Sequence, residues 1–259
     1  MSIFKVVTFN VNSIKARVPI VEALLDREGP DVLCLQETKT VDREFPREIF
    51  EARGYRVLVR GMKAYNGVAA AIRGEELESF AGFPSGEEMD PYRLLGVRLD
   101  GMWLVNCYVP QGKEIDHPDY AYKLRFLSRL AELVRELEGD GEVLLVGDLN
   151  VAPTEADVTN PKNKADHVCF HRDVREAFEG LLGAGLVDVF RRHRPGEGEF
   201  SFWDYRVKGA LERNIGWRID HILATRGLAD RSVDSAVLRD YRAMERPSDH
   251  GPVMGVFEL

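Results

Sequence analysis

Apolar stretches of this 259-residue chain end abruptly, six times, in side chains that carry oxygen or nitrogen. Residues 3–9 lead to Asn10, and residues 31–35 run into Gln36-Glu37. Residues 102–107 lead to Tyr108, and residues 142–146 lead to Asp148 and Asn150. Asp220 lies within the apolar run 218–224, and Asp249-His250 directly precedes 252–258. A single Asn or Asp after a strand is usually a turn residue. Six such ends together point to one convergent site, because α/β folds place their sites at strand ends.

The donor types select the chemistry. Glu37, Asp148, Asn150, Asp220 and Asp249 offer hard oxygen atoms, with no Cys/His cluster beside them. That set suits Mg²⁺, or Mn²⁺, over Zn²⁺. Mg²⁺ takes one or two carboxylates plus substrate phosphate, so some of these acids are left for proton chemistry. Asp148 and Asn150 are i and i+2, which project the same way in an extended chain. Both are therefore expected to face one phosphate, the carboxylate activating water and the amide donating to an oxyanion. The alternative is a side-chain turn after the strand. A carboxylate beside His250 would fix its tautomer and favour the charged ring, which stabilises a phosphoryl-transfer transition state. Adjacent residues rarely face each other, so an acid other than Asp249 can be that partner. The remaining histidines, at 117, 167, 171, 193 and 221, read as surface or core. Phe202 and Trp217 are aromatics set in a polar stretch, which argues for a pocket wall over ordinary core.

These residues need a frame to hold them. Short β-rich runs are expected at 3–9, 31–35, 55–60, 67–72, 93–99, 102–109, 142–146, 218–224, 233–238 and 252–258. Helical spacing marks 17–28, 118–138 and 172–183, with Gly29-Pro30 stopping the first and Pro118 suiting the first turn of the second. Residues 151–171 and 191–216 read as long loops over the site. The pattern predicts an α/β fold with one domain over residues 1–259. Composition agrees with a globular chain, at 44% hydrophobic and 30% charged residues. The three cysteines, Cys34, Cys107 and Cys169, are odd and sparse, as in a reduced intracellular protein. With no secretion signal and no membrane-length apolar run, the expectation is a cytoplasmic protein with no membrane partner. The net charge of −8 runs against a basic nucleic-acid footprint, but a carboxylate cluster depresses it and the local field decides binding. Lys39, Lys63, Lys113, Arg206, Lys208, Arg213 and Arg218 flank the motifs and are candidates for a basic face.

The same motifs carry a family resemblance. They are Thr8-Phe-Asn-Val-Asn12, Leu35-Gln-Glu-Thr-Lys39, Asn66-Gly-Val68, Tyr108-Val-Pro-Gln-Gly112, Gly147-Asp-Leu-Asn-Val-Ala-Pro153, Phe202-Trp-Asp-Tyr-Arg206, Gly216-Trp-Arg-Ile-Asp220 and Pro247-Ser-Asp-His250. In order and spacing they resemble the exonuclease III family of abasic-site endonucleases, within the wider endonuclease/exonuclease/phosphatase fold. The resemblance implies a four-layer α/β sandwich, two packed mixed β-sheets flanked by helices. It implies Glu37 as principal metal ligand with Asn10 and Asn12 nearby, and Asp148 as the residue that activates water. It implies Asn150 and His250 as a phosphate-stabilising pair that can also approach the metal. Asp220 would support the histidine, Asp249 would be a further metal-side acid, and Tyr108 would contact phosphate or the leaving oxygen. Phe202, Trp217 and Ile219 would wall a pocket for a flipped-out baseless sugar, with Asn12, Lys39 and Gln111 also on the substrate side. Asn12 stands where some relatives carry Asp. The implied reaction is Mg²⁺-dependent cleavage of double-stranded DNA 5′ of abasic sites, leaving a 3′-hydroxyl, by a monomer. Exonuclease (3′→5′) and 3′-phosphatase activities belong to the same expectation. The rivals are a phosphodiesterase acting on other phosphate esters and an inactive nucleic-acid-binding protein on this fold.

Overall fold

The computed structural model describes residues 2–84 and 90–259. In chain order the first half comprises β1 (Ile3–Asn10), α1 (Ile14–Glu28), β2 (Val32–Gln36), α2 (Glu48–Glu51), β3 (Arg56–Arg60), β4 (Val68–Ile72), β5 (Glu78–Ala81), β6 (Leu94–Leu99) and β7 (Met102–Tyr108). The second half comprises α3 (Pro118–Glu138), β8 (Glu142–Asp148), α4 (Arg172–Leu182), β9 (Leu186–Asp188), α5 (Val189–His193), β10 (Asp220–Thr225), α6 (Arg226–Ala229), β11 (Ser232–Val237) and β12 (Val253–Glu258).

The strands form two six-stranded mixed sheets, ordered β11-β12-β1-β2-β4-β3 and β5-β6-β7-β8-β10-β9. Each has a parallel pair at its centre, β1 with β2 and β7 with β8, and antiparallel neighbours outside it. Alternation along each central strand sends one side chain to the facing sheet and the next to a helix layer. Val6, Val32 and Cys34 thus meet Leu104, Leu144, Val146 and Ile222 between the sheets. Val7, Phe9, Leu33 and Leu35 pack instead under Ile20, Val21, Leu24 and Leu25 of α1. Val105, Val143, Leu145 and Leu223 pack under Phe126, Leu127, Leu130 and Phe178 of α3 and α4. Four layers result, as the resemblance implies. Each such buried aliphatic side chain contributes roughly 1.5–3 kcal/mol through lost contact with water.

Along the inter-sheet face the chemistry changes from apolar to polar in steps of two residues. Past Val6, Val32 and Leu104 come Thr8, Gln36 and Asn106, all fully buried. Gln36 Nε2 donates to Thr8 Oγ1 (2.9 Å) and Asn106 Oδ1 (2.7 Å), and Asn106 Nδ2 donates to the Leu35 and Ala69 carbonyls. This layer ties the two sheets together at a fixed offset, since breaking it would strand buried polar groups. One step further lie Asn10, Tyr108, Asp148 and Asp220.

The structure extends the first helix back to Ile14, with Pro19 inside it, and starts β10 at Asp220. Two strands escape the sequence pattern, β5 and β9, of four and three residues. Both are edge strands, short and with only one paired side, so they carry little alternation to detect. Among the described residues no helix is long and apolar enough to cross a membrane.

Candidate active site

Strand register aligns the polar ends. Tyr108 pairs with Asp148 across β7–β8, and Asp148 pairs with Asp220 across β8–β10, so the three stand in one row on one sheet face. Asn10 pairs with Gln36 across β1–β2 at the matching end of the other sheet. Gly147 permits the close approach of β8 to β7: its φ is 141°, and a Cβ there would sit 1.9 Å from the Cys107 carbonyl oxygen. After β2 the chain turns at Glu37 (φ 50°), which swings this carboxylate over the row.

The amide of Asn10 links the two sheets' acids. Its Nδ2 donates to Glu37 Oε1 and to Asp148 Oδ2, both at 2.8 Å. Its Oδ1 accepts the Asn12 N–H, which fixes the amide's orientation. Asp148 Oδ1 accepts the Asn150 N–H at 3.0 Å, while Oδ2 faces the site. Asp148 and Asn150 are therefore not related as alternate residues of an extended strand. Asn150 has φ 53°, so the pair forms a side-chain turn and the site together. The reason is that β8 ends at Asp148 and the chain must leave the sheet there. Asn150 Nδ2 donates to the Val109 carbonyl at 3.0 Å.

His250 is nearly buried and sits between two carboxylates. Its Nδ1 lies 2.8 Å from Asp220 Oδ2, and its Nε2 lies 3.8 Å from Asp148 Oδ2. Asp220 Oδ2 also accepts from Ser201 Oγ at 2.6 Å, and that hydroxyl receives the Ile219 and Asp220 N–H groups. Burial alone would discharge the imidazole, but Asp220 and Asp148 override it and lift its pKa to about 10. Burial pushes Asp148 up to about 7, against the pull of His250. Glu37 is also buried, yet Lys39 Nζ at 2.7 Å and the Asn10 amide hold it below its ordinary value. Burial, with the Glu37 and Asp148 charges, holds the Tyr108 phenol protonated. Arg93 lies 4.7 Å from the centre of the Tyr108 ring.

These groups floor a cavity of about 210 Å³. Of the residues singled out from the sequence, Glu37, Tyr108, Gln111, Asp148, Asn150, Phe202, Trp217, Ile219, Asp249 and His250 line it. Asn10 and Asp220 stand behind that lining and hold its members. Asn12 and Lys39 form a chain on one side: Lys39 Nζ donates to Asn12 Oδ1 (2.6 Å), and Asn12 Nδ2 donates to Asp249 Oδ1 (3.0 Å). Among the described residues, the one group of His and acidic ligand atoms lying within 4.8 Å of each other is Glu37, Asp148 and His250. Asp249 is outside it. The chemistry of the three separates them: Glu37 and Asp148 offer hard oxygens, whereas His250 offers an imidazole whose charged form Asp220 and Asp148 favour. The Phe202 ring lies 4.9 Å from that of His250, tilted by 60°, and Phe202 pairs by backbone with both Trp217 and His250.

The structure corrects the candidate basic face at one position. Arg218 is 1% exposed and is not a surface cation. It binds Asp157 (2.6 Å) and Asp188 (2.8 Å), and Arg191 closes the network on Asp157. Arg218 Nη1 also faces His221 Nδ1, whose Nε2 donates to the Val151 carbonyl, so His221 is a neutral core residue. The network pins the loop after Asn150 to β9 and β10. Arg206 does line the cavity, paired with Asp204.

Sequence reasoning passed over three contributors. His167, read as bland, lines the cavity beside Cys169. Ser201 bridges Asp220 to its own backbone and carries no motif signal. Lys123 is fully buried in α3 and donates to the Gln111 (3.1 Å), Asn150 (2.7 Å) and Val168 (2.7 Å) carbonyls, bracing three cavity loops. Its signal was present: Lys123 precedes Leu127, Leu130 and Val134 by 4, 7 and 11 residues, on the apolar stripe of the helix.

Comparison with known proteins agrees with this architecture. A protein similar over 98% of this chain and its own whole length, at 36% identity, is exodeoxyribonuclease III of Haemophilus influenzae. An AP endonuclease of Archaeoglobus fulgidus has the same fold, with a TM-score of 0.95 and 44% identity, over 99% of this chain and 100% of that one. The 3′ phosphatase NExo from Neisseria, solved with a product DNA hairpin, superposes with a TM-score of 0.93 at 33% identity, over 99% and 100% of the two chains. The model of the Endonuclease/Exonuclease/phosphatase family matches residues 7–250, a span that takes in every strand end of the site from Asn10 to His250. By that match and by its relatives, this chain belongs to the Endonuclease/Exonuclease/phosphatase family and, within it, to the exodeoxyribonuclease III group.

Proposed function

We propose that this protein is a DNA-repair phosphodiesterase that hydrolyses the backbone of double-stranded DNA immediately 5′ of an abasic site. One observation carries the reading. Asp148 Oδ2 and His250 Nε2 stand 3.8 Å apart with Glu37 beside them, on the floor of a cavity walled by Phe202, Trp217 and Ile219. A phosphodiester needs a base, an oxyanion donor and a charge sink, while a baseless sugar needs a small apolar recess.

The donor set fits a hard divalent cation, Mg²⁺ or Mn²⁺. Glu37 and Asp148 would hold it, and the charge that balances Glu37 in this structure is the Lys39 ammonium. When bound, such an ion polarises the phosphoryl oxygens and offsets their charge. The chain's own residues supply the rest. Asp148, oriented by the Asn10 amide and the Asn150 N–H, takes the proton of the attacking water through Oδ2. The imidazolium of His250 donates from Nε2 to a non-bridging oxygen, and Asp220 holds the ring in place. Asn150 Nδ2 spends one N–H on Val109 and keeps one for the phosphate. The new bond joins the water oxygen to phosphorus. The bond to the 3′ oxygen breaks, and the protonated Tyr108 phenol gives that oxygen its proton, leaving a 3′-hydroxyl.

The same centre serves terminal phosphoesters, in keeping with 3′→5′ exonuclease and 3′-phosphatase work. Because each sheet supplies half of the site, residues 1–259 act as one catalytic domain. The test is a labelled duplex with one abasic site, incubated with Mg²⁺, with EDTA, and with Asp148→Asn protein. Incision is expected only from the wild type with Mg²⁺. Absence of incision there refutes the proposal, and full activity of Asp148→Asn refutes the role of Asp148.

A further inference from the structure

His167 stands on the cavity wall in a loop that the catalytic chemistry does not use. Its ring lies 4.4 Å from that of Trp217, tilted by 32°, so the two close one side of the recess together. The ring is fixed from behind. Its Nδ1 accepts the Cys169 N–H at 3.2 Å, and its backbone carbonyl accepts the Phe170 and His171 N–H groups, both at 2.7 Å. An Nδ1 that accepts places the proton of the neutral ring on Nε2. Burial, with Lys164, Lys123 and Arg206 adding like charge, pulls this histidine down to about 4, so the neutral form prevails at pH 7. Among the described residues nothing hydrogen-bonds Nε2. Beside it the wall is apolar: Phe202, the Trp217 ring and Ile219. Once a sugar covers this wall, an Nε2–H that finds no acceptor on it loses its hydrogen bond to water.

We propose that His167 determines specificity in this pocket by donating from Nε2–H to the C1′ oxygen of the baseless sugar, an inference that rests on the abasic-site reading above. C1′ is where a baseless sugar differs from a nucleotide: it bears oxygen, as a hydroxyl or as the aldehyde of the opened ring, where a nucleotide bears a base. The His167–Trp217 wall closes this side of the recess and rewards the oxygen. Sites that pair a buried donor with a substrate oxygen reject analogues that lack it, because the donor is then left unpaired.

The experiment compares two duplexes under Mg²⁺, one with a natural abasic site and one with its tetrahydrofuran analogue, which lacks the C1′ oxygen. Wild type, His167→Phe and His167→Gln are assayed for kcat/KM on both. The wild type is expected to prefer the natural site by roughly two- to tenfold, the discrimination that one net hydrogen bond provides. His167→Phe keeps a flat ring against Trp217 but has no donor, and brings the ratio to about one. His167→Gln, which retains an N–H donor, recovers the preference. A wild-type ratio of one, or a ratio unmoved in His167→Phe, overturns the assignment while leaving abasic-site incision in place. A wild type that cuts neither duplex overturns the abasic-site reading itself, and this inference with it.

Discussion

Replacing Asp220 by Asn keeps the shape of the His250 pocket and removes one charge. The amide oxygen can accept from His250 Nδ1 and from Ser201 Oγ, as the carboxylate does at 2.8 and 2.6 Å. What changes is the field on the imidazole. Lifting His250 to about 10 from its ordinary 6.5, against burial, represents about 5 kcal/mol in favour of the charged ring. Asp220 is the first of its sources, with Asp148 at 3.8 Å the next. Without Asp220 the burial penalty remains and the largest favourable partner is gone, so the ring should lose its proton at markedly lower pH. In a pH profile of kcat/KM for incision, the alkaline limb due to His250 should move to lower pH. Each unit of that shift adds roughly a tenfold deficit at alkaline pH to whatever loss is seen at pH 6. Stability supplies a second readout, measured in EDTA by urea unfolding. The folded-state pKa of His250 lies above its unfolded value. Its contribution is therefore complete below about 6.5 and is lost as pH rises through about 10. Asp220→Asn should cost most near pH 6 and least above pH 10. An alkaline limb that stays in place, or a stability loss constant from pH 6 to pH 10, would refute the pairing as the source of the charge.

Three further outcomes are expected. Lys123→Met leaves the Gln111, Asn150 and Val168 carbonyls without their donor, costing about 3 kcal/mol and lowering the melting temperature by roughly 6–12 °C. A shift under 2 °C would deny Lys123 its bracing role. Asp157→Asn strips Arg218 of a buried counter-charge and should destabilise by about 3–5 kcal/mol at pH 7 in denaturant titrations. Burial opposes the Asp157 charge, but Arg218 and Arg191 hold its carboxyl well below the ordinary range. The gap between wild type and Asp157→Asn should therefore be full above pH 4 and close as pH falls below it, and a gap that is flat down to pH 2 would contradict this. Phe202→Ala removes the ring that packs 4.9 Å from His250 and walls the sugar recess. It should raise KM for abasic DNA by about tenfold or more, measured in steady-state incision, and an unchanged KM would remove Phe202 from the wall.

The strand ends were legible in the sequence because a buried central strand must be apolar on both faces, so a polar residue that interrupts it stands out. Asn10, Glu37, Tyr108, Asp148 and His250 could be named that way, and the motifs around them fixed the family from residue 8 to residue 250. The edge strands β5 and β9 were not legible, since a strand paired on one side need not alternate. Arg218 was misread for a related reason. Charge implies solvent in a sequence, and only the tertiary structure brings Asp157 and Asp188, from 61 and 30 residues away, around its guanidinium. Lys123 lay on an apolar helix stripe where its position, more than its type, carried the information.

The residues alone left open which acid meets His250; the resemblance implied Asp220, and the fold shows the contact. Asp249 is the neighbour of His250 in sequence, yet it faces Asn12, while Asp220, 30 residues away, holds the ring. Local sequence determines where a strand stops and what polar group it ends on. The register of β7, β8 and β10, and the offset set by the Thr8–Gln36–Asn106 layer between the sheets, determine which of those ends face one another. The strand-end set from Asn10 to His250 was thus readable as a list of parts. Their assembly into a base, a charged donor and a walled recess came from packing two sheets face to face, because that packing brings Asn10 of one sheet within hydrogen-bond reach of Asp148 of the other, 138 residues away.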